Sequence, residues 1–86
     1  MATLDLQLTI RARETVEYDG RVLSITSFND RGKFDVTPNH ANFISLIKDK
    51  ILINKTDGTQ QEFKLNRAVM RVEGNKIGVY LGIKRA

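Results

Sequence analysis

The 86-residue sequence has no cysteine, one proline and one histidine, and each shortage removes a class of protein. Without cysteine there is no disulfide framework and no thiolate metal site, so a scaffold of this size must rely on its apolar core, and a reducing compartment is the natural fit. With His40 as the only histidine, acid–base chemistry lacks the two or three convergent groups it normally needs. Ser24, Ser27 and Ser45 have no other candidate base, and a zinc site would have to be assembled from His40 and scattered carboxylates. No catalytic, cofactor-binding or metal-ligating residue is therefore assigned, and no enzyme activity is expected. The glycines at 20, 32, 58, 74, 78 and 82 match turns or close strand approaches and form no phosphate-cradling loop. Apolar runs extend only a few residues, and Met1-Ala2-Thr3-Leu4-Asp5 has neither the basic nor the apolar region of a leader. Neither a signal peptide nor a membrane-spanning segment is expected.

What is present describes a small folded domain. The chain is 41% hydrophobic and 28% charged, an ordinary globular balance. A chain of this length buries only roughly 60 to 65% of its unfolded surface, so residues 1–86 are expected to form a single domain with one core. The net charge of +4 is spread from Arg11 to Arg85 and interleaved with acidic residues, as on solvated sheet faces.

The pattern along the chain is that of strands. Leu4, Leu6, Leu8 and Ile10 alternate with polar residues, which predicts a half-buried first strand over 3–11. Val16 and Tyr18 form a short second strand ending in a turn at Asp19-Gly20, and a third strand covers 22–28. Asn29 to Lys33 is a polar turn. Phe34-Asp35-Val36 returns as a short strand, and Pro38 opens a loop that reaches Asn42. Phe43, Ile44, Leu46 and Ile47 allow one helical turn, although the β-branched residues and Ile51-Leu52-Ile53 favour strand. Asp57-Gly58 marks a hairpin between strands at about 50–56 and 60–65, and Gly74-Asn75 marks a second between about 68–73 and 77–81. Residues 83–86 read as a frayed tail. The predicted core is Leu4, Leu6, Leu8, Ile10, Leu23, Ile25, Phe34, Val36, Ile51, Ile53, Phe63, Leu65, Met70, Val72, Ile77, Val79 and Leu81. This pattern predicts an all-β fold, a flattened antiparallel β-sandwich of about ten short strands. A basic β-barrel that binds nucleic acid is the alternative, using Phe28, Phe43, Tyr18 or Tyr80 among Arg21, Arg31, Lys33 and Lys48, although these form no recognised motif.

The run Gly32-Lys33-Phe34-Asp35-Val36-Thr37-Pro38-Asn39-His40-Ala41 is similar to the G-x-[FL]-x-[IV]-x-P-x-H-A-P signature of F-type ATP synthase epsilon subunits, called delta in mitochondria. Leu4-Asp5-Leu6, Tyr18-Asp19-Gly20-Arg21-Val22 and the closing segment Val69 to Leu81 resemble the same family in order and spacing. The resemblance implies the N-terminal β-sandwich of a non-catalytic central-stalk subunit, which docks on the gamma subunit and the membrane c-ring and couples ion flow to ATP synthesis. It implies a gamma-facing set of Ala12, Asn39, His40, Ala41, Asn42 and Phe43, and a c-ring-facing turn of Asn29, Asp30, Arg31, Gly32 and Lys33. No cofactor and no nucleic acid would be bound. The isolated chain would be a monomer, and its place would be the cytoplasmic face of a bacterial inner membrane, or the organellar equivalent, through the complex alone.

Three departures from the family pattern stand out. Asn42 replaces the usual proline, Asn66-Arg67-Ala68 replaces a Gly-Gly turn, and Arg31 and Lys33 occupy turn positions that are often acidic, so the ring contact is either not retained or matched by a ring of altered charge. The chain also stops near where the family's C-terminal helical hairpin would begin, as either a naturally short member or a fragment of a longer one would, and the lack of a start-of-helix signal after Leu81 favours the short member.

Overall fold

The computed structural model describes residues 5–82 and places six strands among them, β1 (Leu6–Arg11), β2 (Val16–Asn29), β3 (Gly32–Val36), β4 (Phe43–Lys55), β5 (Gln60–Glu73) and β6 (Lys76–Leu81). Their order is β1-β6-β5-β4-β2-β3, and β1 also pairs with β2, so five strands close on themselves and β3 is appended at one edge. Five ladders are antiparallel and the β1–β6 ladder is parallel. The body is flattened, with extents of 45 × 26 × 19 Å.

The fold is all-β as expected, with six strands instead of about ten. The difference lies in β2, β4 and β5, which are 14, 13 and 14 residues long and each run through both layers. One layer holds β1, β6, the N-terminal halves of β2 and β4, and the C-terminal half of β5. The other holds β3, the C-terminal halves of β2 and β4, and the N-terminal half of β5.

No turn forms at Asp19-Gly20. Gly20 lies opposite Leu8 within the β1–β2 ladder, and the Asp19 carboxylate accepts hydrogen bonds from Gln7 Nε2 at 2.7 Å and Thr9 Oγ1 at 3.3 Å. An Asp-Gly pair permits a turn without requiring one, and the ladder with β1 decides the outcome here. The stretch from Phe43 is strand and not helix, because it pairs residue by residue with β5 from Phe43↔Val72 to Lys48↔Arg67. The two expected hairpins are present. At the first, Gly58 has φ 90°, and Asp57 accepts from the Thr59 N–H at 2.9 Å and the Thr59 hydroxyl at 2.6 Å. At the second, Gly74 has φ 63°.

Where the long strands cross between layers, the register slips. The β2–β4 ladder shifts between Val22 and Ser24, and the β4–β5 ladder shifts between Lys48 and Lys50. Each slip moves the inward-facing positions of one partner by one residue, since side chains alternate with period 2. On β2, Val22 is accordingly buried and Leu23 is 43% exposed, the reverse of the expected core, and the inward phase resumes at Ile25 and Ser27. On β5 the half-buried Phe63 and Leu65 are followed by buried Ala68, Met70 and Val72, so the extra residue lies at Asn66–Arg67. Buried Ser27 donates its hydroxyl to the Lys50 carbonyl at 2.9 Å, which satisfies both groups beside a slip.

Eleven expected core residues are buried: Leu6, Leu8, Ile10, Ile25, Val36, Ile51, Ile53, Met70, Val72, Ile77 and Val79. Phe34, Phe63, Leu65 and Leu81 pack at the margin of this cluster, and Val22, Ile47 and Ala68 complete it. Leu4 and the tail 83–86 lie outside the described residues.

Candidate docking surfaces

The loop 37–42 is held by asparagines. Asn39 sits at φ 67°, a left-handed conformation that asparagine tolerates better than most residues, and its N–H donates to Asn75 Oδ1 at 2.7 Å. Asn42 Oδ1 accepts from the Gly74 N–H at 2.8 Å. The loop is thereby fastened to the β5–β6 turn, whose Asn75 carbonyl also accepts from the Gln7 N–H of β1 at 2.9 Å. The Asn42 amide oxygen thus caps the turn, which a proline, having no side-chain acceptor, could not do. Asn75 is a site residue that sequence reasoning took only as a turn former.

His40 is fixed by its neighbours. Its Nδ1 lies 2.8 Å from the Ala41 carbonyl oxygen, an arrangement that requires the proton on Nδ1. Its ring stands 5.2 Å from Phe43, which in turn meets Phe34 edge-on at 5.9 Å and 79°. Ser24, Ser27 and Ser45 each have partners other than His40: Asn54 Nδ2 donates to Ser24, and Ser27 and Ser45 donate to the carbonyls of Lys50 and Leu46.

Asn39 to Phe43 therefore form one cluster at the Gly74-Asn75 end. Ala12 is not part of it. It follows the last residue of β1, where Arg11 pairs with Tyr80, roughly 16 Å along the strand from Gln7 at about 3.3 Å per residue.

Between these two places lies a surface that sequence reasoning missed. On the outward side of β4, β5, β6 and β1, cross-strand pairing makes two adjacent rows, Ile44-Arg71-Gly78-Thr9 and Leu46-Val69-Tyr80-Arg11. Ile44 is 70% exposed, Leu46 66% and Tyr80 46%, and Val69 is half-buried between Leu46 and Tyr80. The Tyr80 ring lies over Gly78, where an added Cβ would stand 3.2 Å from the Tyr80 hydroxyl. The signal was available as Ile44 and Leu46 alternating with inward Phe43, Ser45 and Ile47. It was obscured because the same four apolar residues also fit a helical spacing.

The turn Asn29–Lys33 joins β2 to β3. Asn29 Oδ1 accepts from the Arg31 N–H at 2.8 Å, Gly32 has φ 117°, and Asp30 stands 3.6 Å from Lys48 Nζ. Asn29 Nδ2 also donates to Ser45 Oγ at 3.3 Å, which ties the turn to β4. The five residues of the turn are largely exposed and mixed in charge.

The family model for the ATP synthase delta/epsilon chain β-sandwich domain matches residues 5–81. An ATP synthase epsilon chain of Geotalea uraniireducens is 42% identical over 64 residues, covering 69% of this chain and 46% of that protein. One from Nitratiruptor is 32% identical over 72 residues, covering 83% of this chain and 56% of that protein. The chain thus spans about half the length of the curated relatives it matches. Among solved structures, a chain of the Euglena gracilis mitochondrial ATP synthase OSCP/F1/c-ring assembly superposes with a TM-score of 0.87 at 12% identity, covering 94% of this chain and 52% of that one. A chain of the Tetrahymena thermophila mitochondrial ATP synthase central stalk/c-ring gives 0.75 at 11% identity, covering 96% and 67%. The structural matches speak for the fold, and the sequence matches for the lineage: this chain belongs to the delta/epsilon chain β-sandwich family of ATP synthases.

Proposed function

We propose that residues 1–86 act as one non-catalytic module of a rotary ATP synthase central stalk, docking on the gamma subunit and on the c-ring so that ion flow is coupled mechanically to ATP synthesis. The module is then peripheral to an energy-coupling membrane, held there by the complex, on the cytoplasmic face in a bacterium. The observation that carries this reading is the exposed apolar area of Ile44, Leu46, Val69 and Tyr80, which lies between the Asn39–Phe43 cluster and Ala12. It makes one continuous face from residues that the family resemblance assigns to gamma but that stand at opposite ends of β1. An uncovered apolar patch of this kind is costly in a soluble monomer and useful at an interface. Turn Asn29–Lys33 is the ring-facing element in this reading.

The test is a calorimetric titration of the chain against its cognate gamma subunit, with Leu46→Asp and His40→Ala alongside. Leu46→Asp should weaken binding at least tenfold, about 1.4 kcal/mol or more, because it puts a charge at the centre of the patch. His40→Ala should weaken it less, by loosening the loop. Wild-type binding unaffected by Leu46→Asp would remove the patch from the interface.

A further inference from the structure

The outward face of the second layer is built differently. Its central ladder sets Lys48 opposite Arg67 and Lys50 opposite Lys64, two like-charged cross-strand pairs in succession on the same side of the sheet. Like charges directly opposite one another are destabilising, so such a doublet is held at a cost. Lys33 extends the cationic row across β2, because it pairs with Phe28, which itself lies opposite Lys48. The carboxylates nearby relieve little of this charge. Asp30 reaches Lys48 at 3.6 Å and Glu62 reaches Lys50 at 4.0 Å, both exposed contacts at the long end of ion pairing. Among the described residues, no carboxylate lies within ion-pair distance of Arg31, Lys33, Lys64 or Arg67.

We infer that this face is a docking surface for an acidic polypeptide segment. A carboxylate seated between the facing cations would turn two repulsive pairs into bridged ones, and Lys50 and Lys64 are spaced across neighbouring strands to receive it. Single-stranded nucleic acid suits the face poorly. Phe28 is its one aromatic, half-buried, with Lys50 Nζ 5.9 Å over the ring, so it offers no free stacking platform. A lipid surface also suits it poorly, because, of the exposed large apolar residues, Val16, Ile44, Leu46 and Tyr80 lie on the other layer and Leu23 at the crossing between the two. The acidic chemistry of the partner follows from the facing cations themselves and does not rest on the stalk reading above.

The experiment is fluorescence anisotropy of a labelled oligoglutamate peptide with the folded chain at low and physiological salt. Labelled oligothymidylate and phosphatidylglycerol vesicles serve as competing probes. Lys33→Glu with Lys64→Glu changes the face, and Arg13→Glu with Lys76→Glu makes the same change in net charge on the other layer. Binding of oligoglutamate that falls with salt and drops about tenfold or more in the first double variant, with little change in the second, is the expected result. An equal loss in both double variants, no binding at low salt, or tighter binding of oligothymidylate or vesicles would each overturn the inference. Gamma binding measured on the same double variants separates the two readings: it should be unchanged in Lys33→Glu with Lys64→Glu whether or not the acidic partner is right.

Discussion

The two outward faces of this sandwich are made by the same strands and have opposite chemistry. Along β4, Ile44 and Leu46 face outward on the first layer, and Lys50 and Asn54 on the second. Along β5 the outward residues are Gln60, Glu62 and Lys64 on the second layer, and Val69 and Arg71 on the first. Each strand therefore supplies part of an exposed apolar patch and part of a cationic face, and the register slip between the layers divides them. Asp49, at φ 73°, lies at that slip on β4, and Asn66–Arg67 lies opposite on β5. Two surfaces can thus be tuned separately while the inward residues remain one core.

The contrast would change character most if the two layers unfolded apart. Ile51 and Met70 are both fully buried, one from each layer's half of the long strands. Replacing either by Ala should cost about 2–5 kcal/mol and move a single urea transition. Two separated transitions in either variant would mean that the layers are independent units.

The slip itself comes next in size. Valine at position 49 would be forced into a left-handed conformation, so Asp49→Val should lose about 1–2 kcal/mol, while Asp49→Gly should be neutral or gain up to about 1 kcal/mol. A Val variant as stable as the wild type in urea titration would show that β4 can cross between layers without that conformation.

The apolar and cationic faces should then respond differently to the same change. Leu46 is exposed, so Leu46→Asp should alter stability by no more than about 0.5 kcal/mol. Leu52, half-buried between Thr26 and Glu62 on the other face, should cost about 1 kcal/mol when changed to Asp. Equal costs in thermal unfolding would mean that the Leu46 patch is packed after all.

The smallest effect concerns acid. Hydrogen bonds from the Thr59 side chain and backbone hold the Asp57 carboxyl below its ordinary range, with Lys55 adding to the effect. A group lowered in the folded state stabilises above its unfolded value, and that contribution fades as pH falls through the folded one. Asp57→Asn should therefore flatten the decline in stability below about pH 4, and the urea midpoint followed through that window checks it. An unchanged slope would leave the acid response to other carboxylates.

Much of the fold was legible because period 2 is a local signal. Leu6, Leu8 and Ile10, Ile51 and Ile53, and Met70 and Val72 alternate cleanly, and each set is buried. The Asp57-Gly58 and Gly74-Asn75 turns were legible for the same reason, since glycine supplies the positive φ at no steric cost. Leu23 was misplaced because alternation carries no information about a bulge, which is set by a partner strand. Asp19-Gly20 misled in the same way: the β1 side chains that hold Asp19 stand 10 and 12 residues away in sequence. The candidate site was half legible. The Asn39–Phe43 cluster and the Asn29–Lys33 turn are short contiguous segments, whereas the patch of Ile44, Leu46, Val69 and Tyr80 and the cationic doublets exist only across strands.

Strand class, the two glycine turns, most of the core and the family all follow from the chain of residues alone, because each is written in close neighbours or in a contiguous motif. Tertiary pairing was needed to fix how many strands there are, which residue of Val22 and Leu23 is inside, and that Lys48 faces Arg67 while Leu46 faces Val69. The physical reason is that register is a property of pairs of strands: a one-residue slip exchanges the two faces of everything beyond it, and no single segment records where its partner slips.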